Sequence, residues 1–215
     1  MKNTKHTINS KSVAIIDYGM GNINSVKKMI EFLNYEPYVA KSSEDLERAH
    51  YIILPGVGSY FQAYKNLEDA GLIDGLNEHV INQKKPFLGI CLGMQLLTDG
   101  GDEGSQSRGL GWIKGKTKRM PLDSKYKVPH MGWDVLNIKD RGSLFKDIYA
   151  KNPSFYFCHS YIVEIEDHNL VIAEFAYNQN FVASIKKENI FGTQFHPEKS
   201  QEYGKVLLEN FLKEN

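Results

Sequence analysis

Short apolar runs and stretches with helical spacing alternate through the first half of the chain, and this pattern predicts strands joined by helices. Residues 12–17 (SVAIID) form an apolar run with β character, closed by a glycine-bearing turn, Tyr18-Gly-Met-Gly-Asn22. Over residues 24–33 the apolar Val26, Met29, Ile30 and Leu33 recur at the three- and four-residue spacing of one helix face. Residues 36–39 read as a second strand, and Ser42 or Ser43 is expected to cap a short helix through Arg48. Residues 51–54 read as a third strand, ended by Pro55-Gly-Val-Gly58. Helical stretches over residues 59–70 and 72–83 then precede a fourth strand at residues 86–90. Strands separated by helices in this way predict a parallel sheet covered on both faces.

The pattern changes after residue 100. Residues 100–111 (GGDEGSQSRGLG) are rich in Gly, Ser and charge and read as an exposed loop. Short β-prone runs follow at residues 116–119, 126–128, 155–158, 161–165, 170–177, 181–185 and 189–194, and residues 202–212 read as a final helix. There is no internal repeat, low-complexity tract or recognisable linker. The simplest architecture is one α/β domain over residues 12–215 with an antiparallel addition, preceded by a frayed lead-in at residues 1–11.

Charge narrows the classes of function. The chain has 215 residues with 26 basic and 26 acidic side chains, so no net field is available to hold nucleic acid or an anionic membrane. The cluster at residues 114–119 (KGKTKR) alternates with small residues and reads as a solvated strand or turn. Two cysteines, Cys91 and Cys158, cannot make a disulfide framework. Residues 1–11 (MKNTKHTINSK) do not resemble a signal peptide, and no apolar run approaches the roughly 20 residues of a membrane span. A reducing cytoplasm is the expected compartment.

Candidate chemistry centres on Pro86-Phe-Leu-Gly-Ile-Cys-Leu-Gly-Met-Gln95. A strand runs into Gly89-Ile-Cys-Leu-Gly93 and then into a helix-compatible segment, which sets a thiol at the apex of a sharp turn. Small flanking residues let such a turn close, and a following helix directs free N–H groups at the sulfur, favouring its ionised form. Far along the chain, Gly192-Thr-Gln-Phe-His-Pro-Glu198 holds His196 and Glu198 two residues apart across a stiff proline. Cys91, His196 and Glu198 can thus supply nucleophile, base and orienting carboxylate. If the third and fourth strands are neighbours, the Pro55-Gly-Val-Gly58 turn lies beside Cys91, and the N–H groups of Val57 and Leu92 can meet over a developing oxyanion.

Other residues carry plainer readings. Cys158 reads as a small buried hydrophobe, and His6, His50, His79 and His168 as solvated surface residues. His130, in Pro129-His-Met-Gly-Trp133, and His159, in Cys158-His-Ser-Tyr161, each either line a pocket or satisfy a turn. No cluster has metal-ligand spacing. Tyr18-Gly-Met-Gly-Asn22 lacks the G-x-G-x-x-G pattern and a Walker lysine, and reads as a βα turn suited to interface contacts.

Taken together, Pro55-Gly-Val-Gly58, Gly89-Ile-Cys-Leu-Gly-Met-Gln95 and Gln194-Phe-His-Pro-Glu198 resemble the class I (triad) glutamine amidotransferases. Ile16-Asp-Tyr-Gly-Met-Gly-Asn22, Val128-Pro-His-Met-Gly-Trp133, Phe155-Tyr-Phe157, His159-Ser-Tyr161 and Lys199-Ser200 look like the glutaminase subunits of imidazole glycerol phosphate synthases within that family. The resemblance runs from about Ser12 to the C-terminus. It implies a three-layer, flavodoxin-like, mostly parallel central sheet flanked by helices, and an enzyme without cofactor or metal. Cys91 would attack the glutamine amide, His196 would hand a proton to the departing ammonia, and water would hydrolyse the thioester. Gly56, Gln95, Ser160 and Tyr161 would hold glutamine. Ammonia would pass through a tunnel into a (β/α)8-barrel cyclase subunit, whose docking switches the glutaminase on through the Gly56–Val57 peptide. Asp134 stands where the family usually has Asn, and residues 1–11 precede the family's usual start. Paralogues that feed a surface-sugar amidotransferase, a partner-independent cysteine hydrolase and a non-catalytic regulatory subunit are the competing readings.

Overall fold

The structure, a computed structural model, describes residues 11–103, 107–121 and 127–214. The lead-in expected at residues 1–11 therefore lies almost wholly outside the described residues, as do His6, part of the loop expected at 100–111 and the start of the run at 126–128.

The first half alternates as expected: β1 (Ser12–Ile16), α1 (Ile23–Phe32), β2 (Glu36–Ala40), β3 (Tyr51–Gly56), α2 (Tyr60–Asp69), α3 (Leu72–Leu76), β4 (Phe87–Cys91) and α4 (Leu92–Gln95). The second half supplies β5 (Gly100–Gly101), β6 (Ser107–Arg108), β7 (Gly115–Arg119), β8 (His130–Ile138), β9 (Ser154–His159), β10 (Tyr161–Ile165), β11 (Val171–Tyr177), β12 (Gln179–Lys187), β13 (Ile190–Thr193) and α5 (Gln201–Phe211). Among the described residues a nine-stranded sheet runs in the order β2-β1-β3-β4-β13-β12-β11-β8-β9. Strands β2, β1, β3, β4 and β13 are mutually parallel, the strand order of flavodoxin-like folds. From β12 to β9 every pairing is antiparallel. A second sheet has the order β10-β7-β5-β6.

Alternation along each central strand divides the core in two. Val13 and Ile15 pack with Val26, Ile30, Leu207 and Phe211 from α1 and α5. Ala14 and Ile16 face the other way, onto Ala63, Leu67, Leu72 and Leu76 from α2 and α3. All of these side chains are fully buried, each large one contributing about 1.5–3 kcal/mol. Helices on both faces leave the loops at the carboxyl ends of the parallel strands as the exposed edge of that sheet, the edge at which such folds bind ligands.

Three local expectations change. Ser43 makes no side-chain cap; Asp45 Oδ2 instead accepts from the backbone N–H groups of Lys41 and Ser42 at 2.8 and 3.1 Å, and only the 3-10 turn Glu44–Leu46 forms. Ser43 itself takes helical dihedrals, φ −63° and ψ −38°, rather than the extended ones of a capping residue. The expected helix over 72–83 is α3 continued by a π-helical segment, Asn77–Asn82, in which His79 is buried on the same face as Leu72 and Leu76, 3.0 Å from Gln83 Oε1. His79 is therefore not a surface residue. Strand β8 forms over a stretch, residues 130–138, in which the sequence pattern predicts no strand. Gly132, at φ +143°, is accommodated inside the strand. In β7 only Gly115 and Thr117 are buried, so the basic cluster is a strand solvated along one face.

Candidate active site

Cys91 ends β4, and the β3–β4 register sets it directly beside Gly56. Its backbone takes φ +55° and ψ −108°, a conformation that costs a side-chain-bearing residue about 1–3 kcal/mol and that turns the strand abruptly into α4. The flanking glycines are required by close approach. A Cβ on Gly89 would lie 2.5 Å from the Gly93 carbonyl oxygen, and one on Gly93 would lie 1.9 Å from the Leu54 carbonyl oxygen. Helix α4 spans only Leu92–Gln95, so an extended helix dipole contributes little at the sulfur. What stands by Cys91 instead is His196.

His196 follows β13, the strand paired to β4 on the side opposite β3. Its N–H donates to the Tyr156 carbonyl at 2.9 Å, and its own carbonyl accepts from Ser200 Oγ at 2.6 Å, so the segment is pinned on both sides. Imidazole Nδ1 lies 2.9 Å from Glu198 Oε1, with both side chains buried. Burial by itself lowers the imidazole pKa, but the contacts with Cys91 and Glu198 outweigh it and raise the pKa to about 10. With Nδ1 committed to Glu198, Nε2 has no hydrogen-bond partner among the described residues and is the nitrogen left toward the sulfur. Thiol, imidazole and carboxylate are thus delivered by adjacent strands.

Around this core, Gln95 Nε2 donates to the Tyr161 carbonyl at 3.0 Å and to Gln194 Oε1 at 3.2 Å. Gln194 Nε2 in turn approaches Cys91 Sγ at 3.7 Å. Gly56 lies beside the thiol, Leu92 is buried next to it, and Val57 stands exposed at the rim. Ser160 and Tyr161 are half-buried between β9 and β10. Gln194 belongs to the His-Pro-Glu segment, but the sequence reading assigns it no role of its own. The signal available for it is a polar residue set between Phe191 and Phe195, all three of them buried. Cys158 is half-buried rather than core, and its carbonyl faces Cys91 Sγ at 3.9 Å.

Both histidines with an open reading prove to be structured. His159 Nδ1 is 2.9 Å from the Tyr161 carbonyl, and its Nε2 is 3.2 Å from His130 Nδ1. His130 Nε2 is 2.6 Å from Asp134 Oδ2. A carbonyl only accepts, so His159 donates from Nδ1 and accepts at Nε2, and His130 donates from Nδ1. At Nε2 His130 meets the Asp134 carboxylate, and burial pulls this imidazole below its usual range while the Asp134 contact partly offsets it. Burial first, and then the charge of His130, push His159 down to about 3, so it stays neutral. From the same strand, Met131, Trp133 and Val135 project into solvent at 61, 46 and 47% exposure, an apolar stripe next to the strand that carries Cys158 and His159.

Among the described residues, no group of three or more His, Cys, Asp and Glu side chains is placed to hold a metal ion, and no helix is long and apolar enough to cross a membrane.

Comparison with known proteins follows the same lines. A family model for class I glutamine amidotransferases matches residues 14–215. The imidazole glycerol phosphate synthase subunit HisH 1 of Campylobacter jejuni (strain RM1221) is 48% identical over 201 residues, covering 94% of this chain and 99% of that protein. Subunit HisH 2 of Methanococcus maripaludis is 45% identical over 202 residues, covering 94% and 99%. Among solved structures, PurLQS from Thermotoga maritima superposes with a TM-score of 0.74 at 20% identity, over 95% of this chain and 98% of the other.

Proposed function

The chain belongs to the class I glutamine amidotransferases, and on that premise we propose that it is the glutaminase subunit of an imidazole glycerol phosphate synthase, supplying ammonia to a cyclase partner in histidine biosynthesis. In this reading residues 12–215 act as one amidotransferase domain. The observation that carries it is the convergence of Cys91, His196 and Glu198 beside the Gly56–Val57 turn. The Cys91 sulfur attacks the side-chain carbonyl of glutamine. His196, held as the imidazolium by Glu198, gives its proton to the departing nitrogen, which leaves as ammonia. The thioester is hydrolysed by water, with His196 taking the water's proton. Backbone N–H groups of Val57 and Leu92 serve the oxyanion, each worth about 3 kcal/mol when well aligned. Gly56, Gln95, Ser160 and Tyr161 frame the glutamine, and Gln194 fixes Gln95. The reading requires a compartment that keeps both cysteines free, which the cytoplasm does.

The relatives are named as synthase subunits, and the exposed stripe of Met131, Trp133 and Val135 supplies the apolar surface that such a docking needs. A (β/α)8-barrel cyclase seated there would draw ammonia from Cys91 without releasing it to solvent. Co-purification with the cyclase, followed by assay of glutamate release with and without it, tests the proposal. Stimulation by the cyclase supports it; partnership with a surface-sugar amidotransferase, or full activity of the isolated chain, overturns the histidine assignment.

Two variants sharpen it. Glu198→Gln is expected to cut glutaminase kcat/KM by about 10²–10⁴-fold. It should also move the alkaline limb of the pH profile to lower pH, because the imidazolium loses one of the two contacts that raise it; an unmoved limb would separate Glu198 from the proton chemistry. Trp133→Glu is expected to weaken cyclase binding by roughly 30-fold or more, as loss of a central aromatic anchor does. Calorimetric titration reads this directly, and unchanged affinity would remove the stripe from the interface.

A further inference from the structure

The Tyr18 hydroxyl is one of the few buried polar side-chain groups without a hydrogen-bond partner among the described residues. Its position is not loose. The Tyr18 carbonyl accepts from Asn66 Nδ2 at 2.9 Å, and the following Gly19 N–H donates to Asp17 Oδ1 at 3.1 Å. The loop is laid directly on the 55–58 turn: a Cβ on Gly21 would come 3.0 Å from the Pro55 carbonyl oxygen, and one on Gly58 would come 2.7 Å from Met20 Cε. The phenol is thereby aimed at Gly56. A Cβ added there would meet the Tyr18 hydroxyl at 2.5 Å, Leu92 Cβ at 2.8 Å and the Gly93 nitrogen at 3.0 Å. The hydroxyl also senses the sulfur, since burial first and the Cys91 charge second hold its proton on more tightly than in free tyrosine.

A buried hydroxyl without a protein partner is unfavourable, and it biases the protein toward any arrangement that brings it an acceptor. The N–H and C=O of one peptide point in opposite directions. A rotation that turns the Val57 N–H toward Cys91 therefore swings the Gly56 carbonyl away from the sulfur, about the Cα on which the phenol rests. We propose that Tyr18 is a positioning residue for thioester formation, its hydroxyl donating to the Gly56 carbonyl only when the Gly56–Val57 peptide presents its N–H to the substrate oxygen. This rests on the amidotransferase reading and adds to it a residue outside the triad that favours the competent turn.

The test is Tyr18→Phe in the full chain with the cyclase present, read as kcat, KM for glutamine and Tm. The ring and its packing stay, and only the hydroxyl goes. The expected result is a kcat lower by about 10-fold, the worth of one net hydrogen bond in the transition state, with KM within about twofold. Tm should be unchanged or higher, because the lost group has no partner at rest. Unchanged kcat would show the hydroxyl to be idle. A fall in Tm, or a raised KM at constant kcat, would show it to be structural or substrate-binding, and either result overturns the proposal. Failure of the wild-type protein to release glutamate beside its partner would instead sink the amidotransferase reading, whatever Tyr18 does.

Discussion

Cys91→Ala is expected to abolish glutamine-dependent product formation, by about 10⁴-fold or more, while the partner's ammonia-dependent synthesis continues at its wild-type rate. The asymmetry follows from the site. Everything that holds His196 in place, namely Glu198, the Tyr156 carbonyl and Ser200 Oγ, is independent of the sulfur. Removing the thiol therefore takes away the nucleophile without collapsing its surroundings. Cys91 is also buried at a strained turn that alanine can occupy as readily as cysteine, so the fold and the docking surface should persist. Parallel assays with glutamine and with ammonium salts check this. Loss of both activities would mean that Cys91 serves assembly, not chemistry.

The second large effect concerns a residue with no chemistry of its own. Gly93→Ala is expected to lower Tm by about 6–12 °C, corresponding to about 3 kcal/mol in a chain of this size, and to silence glutaminase activity. The new Cβ would sit 1.9 Å from the Leu54 carbonyl oxygen and 3.0 Å from its carbon, and neither backbone can yield. Leu54 belongs to β3, which is paired on both edges by β1 and β4. The turn carrying Cys91 must give way. Gly71→Ala makes the control: at φ +64°, that glycine would place an added methyl with nothing within 4 Å, so the substitution meets only backbone strain of about 1–2 kcal/mol. Thermal unfolding of the two variants separates crowding from strain, and equal losses would refute the close-approach explanation.

The parallel half of the fold is legible in the sequence because its strands alternate with helices or, after β2, a single helical turn, so periodicity carries the order of elements. The pairing of β13 with β4 is not, since it joins segments about a hundred residues apart and nothing local encodes it. Strand β8 is hidden by Pro129 and Gly132, residues whose turn meaning is overridden once β9 and β11 pair alongside. His79 stands seven and three residues after Leu72 and Leu76, on the buried face of the helical period, and its polar side chain hides that placement in the sequence. At the site, Cys91, His196 and Glu198 stand in short segments whose residue order already suggests their chemistry. Gln194 and Tyr18 do not. One matters through a side chain that bridges Cys91 and Gln95, the other through a hydrogen bond it does not make, and both are facts of three dimensions. Asp134 gains its meaning in the same way, from its 2.6 Å contact with His130 Nε2.

The strand that ends in Cys91 is laddered on both edges, by β3 on one side and β13 on the other, and the second of these leads straight to His196. Segments zipped from both sides open to water last, in the same event that dissolves the whole fold. His196 is different: its N–H is held by the Tyr156 carbonyl of β9, the edge strand, so a molecule loosened at that edge would keep Cys91 in its ladder and lose the hold on the imidazole. A copy frayed at that edge would stop consuming glutamine before it unfolds.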